Sequence, residues 1–314
     1  MILIEPNVKY IDIQEPGKKA EYAGRVCYKS QDKITEDSHK KFLANIIKRG
    51  HTSILEHEYI TVQSFNNTLK NFLQESIFRR WFTCTNELIH ANLRAWYNLL
   101  KYFREEKEND YLYNIVVKLN TLLRKKYEYL FPLMVKREEL RKEVRVSDDD
   151  EVVDGDEGLA IGVEDDINPP YVEKDECNVF AYAKDQDIIN LAGLCEEYNQ
   201  IKTFTFEIIT DRAISHQLVR HRTFSFSQES QRYCNYNTDK FDHSVKFILP
   251  RNITEEQKEH IVNNLDKIEK EYFNLLSCGC RPENARYILP NATATTLIVS
   301  GPLFAWENFI NLRN

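Results

Sequence analysis

The sequence predicts an α+β fold, in which a mixed or antiparallel sheet is flanked by helices and a helical insertion interrupts the chain. Three observations predict it. Segments rich in β-formers occur in both halves of the chain, long stretches show helical periodicity, and the two kinds do not alternate as in a doubly wound sheet. The 314 residues suffice for one large or two ordinary domains. A hydrophobic fraction of 42% excludes a wholly disordered chain.

The first elements follow from local signals. The stretch MILIEPNVKYIDI, residues 1–13, begins apolar but turns acidic at Glu5, so we expect a first strand and not a signal peptide. Thr35 is expected to cap a helix through a capping box in which Ser38 replaces the usual acid, and Gly50 is expected to end it. Residues 59–65 alternate in polarity, which predicts a strand.

The later elements follow from periodicity. Many Leu, Tyr and Phe residues at helical spacing predict two packed helices over 86–104 and 110–130. Two strands are expected at 203–209 and 294–299, and three helices at about 211–220, 254–276 and 303–312.

Acidic residues are concentrated in one segment. The net charge is −7, and residues 148–166 hold ten acidic side chains and no basic one. Such a run repels itself and has little apolar surface to bury, so we expect a solvated, mobile loop. The regular Asp spacing of a calcium-binding loop is absent from it.

Neither a membrane segment nor a metal site is expected. No apolar run approaches the roughly 18 residues of a membrane helix. The seven cysteines are an odd, scattered set, which suits a reduced, cytoplasmic protein. Cys278 and Cys280 form a possible metal pair, but they lack a second Cys or His pair at zinc spacing.

Candidate chemistry is concentrated in residues 217–233, QLVRHRTFSFSQESQRY. Arg220 and Arg222 lie two residues apart, so on a helix they would face two different anions. Arginine forks suit phosphates. The hydroxyl side chains of this stretch can donate to a phosphate, and its glutamines can recognise the amide-bearing edge of a base. An ordinary charged helix terminus is the alternative interpretation of the Arg-His-Arg triplet alone.

The same stretch resembles the signature of the flavin-dependent thymidylate synthases. The matching residues are Arg220-His221-Arg222, Ser225, Ser230 and Arg232-Tyr233. Four further blocks are similar to that family, in the family's order: AGRVCYKS (23–30), GHTSILEH (50–57), ARYILPNATAT (285–295) and FAWENFINLR (304–313).

The resemblance implies the reductive methylation of dUMP to dTMP. Methylenetetrahydrofolate would supply the carbon and NADPH the electrons, with FAD as the cofactor. It also implies a homo-oligomer, a tetramer whose sites are shared between subunits. Arg313 would stabilise the N3-ionised uracil, which makes C5 a better carbon nucleophile.

Further residue roles are implied by the same resemblance. The expected dUMP contacts are Gln217, Leu218, Val219, Arg220, Gln228, Glu229, Ser230, Gln231, Arg232 and Arg286. The expected FAD contacts are Ser53, Arg220, His221, Arg222, Gln228 and Asn308. We expect His51 near the flavin, an orienting role for the Glu56-His57 pair, a core position for Tyr233 and a structural role for His216.

The chain departs from the family pattern at three places. About 140 residues separate His57 from the Arg-His-Arg helix, which predicts a family-like domain of residues 1–65 and 181–314 and a helical insertion, 66–180, ending in the acidic loop. Pro302-Leu303-Phe304 replaces the family's Asn-x-Arg, which contacts FAD. The sequence ends at Asn314, directly after Arg313, where the family's helix continues, so either the sequence is truncated here or the last helix is shortened.

The insertion contains a segment that matches the missing pattern. Asn92-Leu93-Arg94-Ala95-Trp96 reproduces Asn-x-Arg-Ala-Trp, so Asn92 and Arg94 are candidate FAD contacts. Coincidence on an amphipathic helix is the alternative.

Two other functions stay open. Arg, His, Phe and Tyr interleaved over residues 220–236 could bind a single strand of nucleic acid. The charge of −7 argues against this, and no nucleic-acid partner is expected. The lost Asn-x-Arg also fits a catalytically impaired paralogue that still binds nucleotide.

Overall fold

The computed structural model describes residues 1–64, 66–85, 87–105, 110–131, 179–182 and 201–313. Antiparallel sheets flanked by helices confirm the α+β prediction. The chain divides into two compact units. The first comprises Met1–Thr61, His90–Trp96 and Ala183–Asn314, and the second Val62–Ile89 and Tyr97–Tyr182. The predicted boundaries of the insertion, 66–180, stay a prediction.

The described strands and helices are named in chain order. The strands are β1 (Ile2–Leu3), β2 (Asn7–Tyr10), β3 (Tyr59–Ser64), β4 (Phe82–Cys84), β5 (Leu88–Asn92), β6 (Val179–Tyr182), β7 (Thr203–Asp211), β8 (Ser225–Gln228), β9 (Lys246–Phe247) and β10 (Ala294–Pro302). The α-helices are α1 (Lys18–Cys27), α2 (Ser38–Lys48), α3 (Asn67–Glu75), α4 (Leu93–Glu105), α5 (Asp110–Tyr127), α6 (Arg212–Leu218), α7 (Glu255–Ser277), α8 (Pro282–Ala285) and α9 (Leu303–Arg313).

The first unit is built around an antiparallel sheet with the strand order β2-β7-β10-β8. β10 is central, and all but its last residue are buried. Helix α1 covers one face, where Ala23 and Val26 pack with Ile298. On the other face Leu218 and Trp306 pack with Leu297. Helices α6 and α9, which carry predicted site residues, are therefore fixed to the same face of this sheet.

The second unit combines α3, α5 and most of α4 with strands of a sheet ordered β4-β5-β3-β6. An aromatic cluster holds the helices, with the ring of Phe78 5.5 Å from Tyr102 and 6.0 Å from Phe72. The predicted acidic loop, 148–166, lies outside the described residues.

The first predicted strand is wrong as a single element. Residues 1–13 contain two short strands, and β1 pairs in parallel with β9 whereas β2 pairs with β7. Pro6 stands between them. Proline has no N–H for a strand ladder, which explains the interruption.

The helix predicted from Thr35 begins later. Its N-cap is Asp37, so Thr35 as N-cap is wrong, and the Thr35 N–H donates to Ser38 Oγ at 2.9 Å in the preceding turn. The predicted end is confirmed. Gly50 has φ +74°, its N–H donates to the Ile47 oxygen and the His51 N–H to the Ile46 oxygen, which is the Schellman pattern.

The helix predicted over 86–104 is wrong in its first part. Leu88–Asn92 is a strand beside β3, and its first four residues are buried. A short apolar run fits a buried strand as well as a helix, and strand pairing decides between them. The helix begins at Leu93, where Asn92 Oδ1 accepts the Ala95 N–H at 2.9 Å. The helix predicted at 110–130 is confirmed as α5.

The predicted elements of the C-terminal part are confirmed. Strands β7 and β10 and helices α6, α7 and α9 lie where the sequence places them, with both strands longer than expected. Thr254 caps α7 in a reciprocal capping box with Gln257.

Candidate active site

A cavity of about 400 Å³ lies between the end of α6 and the end of α9. It is lined by His216, Gln217, Arg220, His221 and Arg313. Four of these five residues are site residues predicted from the sequence. The fold therefore brings Arg313 to the Arg-His-Arg turn, although 90 residues of sequence separate them.

Helix α6 sets the direction of its side chains. Asp211 Oδ1 accepts the Ile214 N–H at 2.8 Å and fixes the start of the helix. Leu218 is buried against the sheet, whereas Gln217 and Arg220 are exposed. The Leu218 side chain, predicted to contact dUMP, is therefore packed in the core, and only its backbone is left for a ligand. Val219 is 37% exposed.

The arginines around His221 are unneutralised cations. Arg220 and Arg222 are exposed, and within the described residues neither forms an ion pair, nor does Arg313. The His221 ring stands edge-on to Phe309, with 5.0 Å between centroids. A fixed imidazole among free guanidinium groups suits an anionic ligand.

Gln228 ties three elements together. Its Nε2 donates to Ser215 Oγ at 3.0 Å and to Thr295 Oγ1 at 3.2 Å, which links β8 to α6 and β10. The amide predicted to contact both dUMP and FAD thus has its N–H₂ group engaged, with its oxygen left for a ligand.

Glu229 points into the protein. It is buried, Tyr236 OH donates to its Oε1 at 3.2 Å, and Lys29 Nζ lies 3.8 Å from Oε2. Burial raises the pKa of Glu229 above its ordinary value, and Lys29 opposes the rise. The Glu229 side chain, a predicted dUMP contact, therefore organises the interior beneath the site.

Arg232 and Arg286 form a second group. The turn from Ser230 is fixed by the Ser230 N–H, which donates to the Cys27 oxygen at 3.0 Å, and Ser230 and Gln231 are half-buried. Arg232 is exposed, with Nη2 3.7 Å from Glu283 Oε2. Arg286 Nε donates to the Glu283 backbone oxygen at 3.1 Å. Glu283 thus contacts two residues that are predicted to bind dUMP.

Arg212 belongs to this second group and was missed by the sequence analysis. Burial lowers the pKa of Arg212; Arg286 lowers it further, while Tyr236 and Glu229 raise it. The charges of Arg286 and Glu229 therefore act on the Arg212 guanidinium. The sequence signal was its position, as the first residue of the helix that leads to the Arg220-His221-Arg222 turn.

His216 and Tyr233 are both exposed. His216, for which a structural role is expected, lines the cavity beside Gln217, and its role stays a prediction. The expected core position of Tyr233 is wrong, because Tyr233 is 56% exposed. Its ring lies 5.2 Å from Tyr28, and the Arg232 guanidinium stands 5.5 Å from its centre. An aromatic residue in a turn is held by its neighbours and need not be buried.

His57 is fully buried between two strands. Its Nδ1 is 2.8 Å from Ser300 Oγ on β10, and its Nε2 is 2.9 Å from Ser227 Oγ on β8. Burial lowers the pKa of His57 to about 3, so the ring is neutral. Glu56 instead pairs with Arg94. The two members of the expected Glu56-His57 pair therefore orient different neighbours.

Asn92 and Arg94 have structural partners. Asn92 caps α4, Arg94 pairs with Glu56, and Trp96 Nε1 donates to the Ile60 oxygen at 3.2 Å. These contacts account for the Asn-x-Arg-Ala-Trp pattern without a ligand.

The remaining predicted flavin contacts lie outside the cavity lining. Ser53, in a short 3₁₀ helix over Thr52–His57, and Asn308, on α9, are both exposed. Phe304, which stands at the family's arginine position, is 53% exposed. His51 is exposed just before Ser53.

Among the described residues, no three His, Cys, Asp or Glu side chains are placed to hold a metal ion. No helix in the described part of the chain is long and apolar enough to cross a membrane.

The family model described as "Thymidylate synthase complementing protein" matches residues 9–67 and 199–314, more than half of the chain. The chain belongs to this family. The match confirms the resemblance found in the sequence, and it omits the residues between 67 and 199. Both arginine groups and the cavity fall within the matched residues.

Individual relatives carry matching names. The chain is 38% identical over 115 residues to the flavin-dependent thymidylate synthase of Sulfurisphaera tokodaii, covering 37% of this chain and 43% of the relative. It is 35% identical over 115 residues to that of Saccharolobus solfataricus, covering 37% and 42%. The probable flavin-dependent thymidylate synthase of Paramecium bursaria Chlorella virus 1 is 32% identical over 120 residues, covering 35% and 56%. The chain thus spans about half the length of the curated relatives it matches.

Proposed function

We propose that the chain catalyses the reductive methylation of dUMP to dTMP, with methylenetetrahydrofolate as carbon donor and with FAD and NADPH. The observation that carries the proposal is the cavity in which Arg313 meets Gln217, Arg220 and His221. A thymidylate synthase needs a cation fixed at the pyrimidine, and this arrangement supplies one. The names of the relatives support a flavin and a thymidylate product.

The proposed dUMP contacts fall into two sets, one for the phosphate and one for the uracil ring. Arg232, Arg286 and Arg212 would hold the nucleotide phosphate, since guanidinium forks bind phosphate oxygens well. Gln217 and Arg220 would contact the uracil edge. Arg313 would stabilise negative charge on the ring as N3 ionises, which strengthens C5 as a nucleophile.

The donor set also fits a flavin dinucleotide. Its diphosphate needs cations without carboxylate partners, and Arg220 and Arg222 meet this condition among the described residues. Ser53, His221, Gln228 and Asn308 would add donors. When bound, FAD would relay hydride to the methylene carbon.

We extend the proposal to assembly and location. The family resemblance implies a homotetramer with sites shared between subunits. The odd, scattered set of cysteines suits the cytoplasm, and neither a metal nor a nucleic-acid partner is expected. Sedimentation equilibrium and mixing of two inactive site variants would test the tetramer, because shared sites predict recovery of activity in mixed oligomers.

A direct assay tests the activity. The purified chain should form dTMP only when dUMP, methylenetetrahydrofolate and NADPH are all present, and should release FAD on denaturation. Phe304 at an arginine position favours one competing function, a catalytically impaired nucleotide-binding protein. Binding of dUMP without dTMP formation, in full-length preparations containing FAD, would establish that alternative.

Arg232→Ala should weaken dUMP binding by about 10–150-fold, because a hydrogen bond to a charged group contributes about 1.5–3 kcal/mol. FAD affinity should stay nearly unchanged. Isothermal titration with each ligand measures both effects. Arg251→Ala, which replaces an exposed arginine outside both groups, is the control. Parent-like affinity for dUMP in Arg232→Ala would remove Arg232 from the phosphate site.

The flavin contacts of Asn92 and Arg94 stay a prediction. Phe304 cannot pair with a diphosphate. The Arg94 side chain is 40% exposed, and it has N–H donors other than those that contact Glu56, which are available to a ligand. Arg94→Ala should weaken FAD binding by about 10–150-fold, and Phe304→Arg should strengthen it little. Arg104→Ala, at the other end of the same helix, is the control. A large gain from Phe304→Arg would show that no other cation has replaced the lost one.

A further inference from the structure

Glu283 lies between the arginines of the second group. Its Oε2 is 3.7 Å from Arg232 Nη2, and its Oε1 is 3.9 Å from Arg281 Nη1. Its backbone oxygen accepts the hydrogen bond from Arg286 Nε. In the described part of the chain, Glu283 supplies the carboxylate that pairs with Arg232. A negative charge of the protein itself thus stands where a phosphate is expected to bind.

The pairing is loose enough to be exchanged. A charge-assisted hydrogen bond of this kind is about 2.7–2.9 Å long, and both carboxylate contacts here are far longer. The side chains of Arg232 and Glu283 are 54% and 38% exposed, and water weakens such pairs. A phosphate monoester carries more charge and more acceptor oxygens than a carboxylate. It can therefore displace Glu283 from Arg232.

We propose that Glu283 is an exchangeable counter-ion of the phosphate site. By occupying Arg232, it holds the affinity for dUMP below the value that the arginines alone would give. The identity of the nucleotide rests on the proposed function, but the competition concerns any phosphate dianion. The exchange favours dianionic phosphates over weaker anions and speeds the release of a phosphorylated product.

Glu283→Gln tests the proposal, because it removes the charge and keeps the shape. At low ionic strength, isothermal titration should show dUMP binding about two- to fivefold tighter than in the parent, as expected for an exposed ion pair. Inorganic phosphate should show the same gain, whereas deoxyuridine, which has no phosphate, should show none. In an Arg232→Gln background the gain should vanish, because Glu283 acts through Arg232.

Asp266→Asn is the matched control. It also removes one negative charge from an exposed pair, Lys270–Asp266 at 2.6 Å on α7, and should bind dUMP and phosphate as the parent does. Unchanged or weaker phosphate binding in Glu283→Gln would overturn the proposal and leave Glu283 as a residue that positions Arg232. An equal gain in both variants would also overturn it, as a general charge effect. Failure of the proposed function looks different: no protein forms dTMP, while the phosphate titrations still report on Glu283.

Discussion

Arg313→Lys should lower the rate of dTMP formation by roughly 10²–10³-fold, the loss typical when one fixed donor to a developing anion is removed. Lysine keeps the charge but loses the planar fork that can hold two acceptor atoms of a pyrimidine. Arg313 lines the cavity with Gln217 and Arg220, so its position suits a uracil ring held by those residues.

Three measurements separate the chemistry from binding. The Arg313→Lys variant should still bind dUMP measurably, because the arginines proposed to hold the nucleotide phosphate are unchanged. Oxidation of its reduced flavin by oxygen should fall far less than methyl transfer. Arg251→Lys, outside both groups, should leave all three quantities unchanged. Methyl transfer at the parent rate in Arg313→Lys would show that Arg313 does not activate the pyrimidine. A parent that forms no dTMP would instead support the impaired-paralogue alternative.

A short-range signal correctly predicted the C-terminal end of α2. Gly50 was identified correctly because its role depends on the φ angle that the last turn requires, and that is a local property. Leu88–Asn92 was misassigned because an apolar run becomes a strand only when a partner strand is available. Its partner β3 lies more than 20 residues earlier, and no window of ordinary length contains both.

The site shows the same division between local and long-range information. The spacing in residues 217–233 predicted Gln217, Arg220 and His221, and the structure places all three at one cavity. Arg212 and Glu283 were not predicted as site residues, because they interact with charged residues about 50–75 positions away in the sequence.

Acidification should destabilise the protein through His57. Burial lowers the pKa of this ring from its ordinary value of 6.5 to about 3. Between these two pH values His57 is protonated in the unfolded chain and neutral in the folded chain. The contribution of the neutral His57 ring to the free energy of unfolding is therefore fully present above pH 6.5, and it is lost as the pH decreases toward 3. The slope is about 1.4 kcal/mol per pH unit. Over the whole interval the loss is about 5 kcal/mol, comparable to the total stability of many domains.

His57→Gln should reduce the number of protons taken up on unfolding by about one, which lowers the slope of the free energy of unfolding against pH. It should also lower the stability at neutral pH by roughly 1–3 kcal/mol, because Ser227 or Ser300 loses a hydrogen-bond partner. Urea unfolding followed by circular dichroism from pH 7 to pH 4 measures the slope. Some slope should remain, since burial also lowers the pKa of His90 to about 4. His260→Gln, an exposed histidine on α7, should reproduce the parent curve. If His57→Gln kept the full parent slope, the proton uptake on unfolding would come from other groups, and the Ser227–His57–Ser300 bridge would not need a neutral ring.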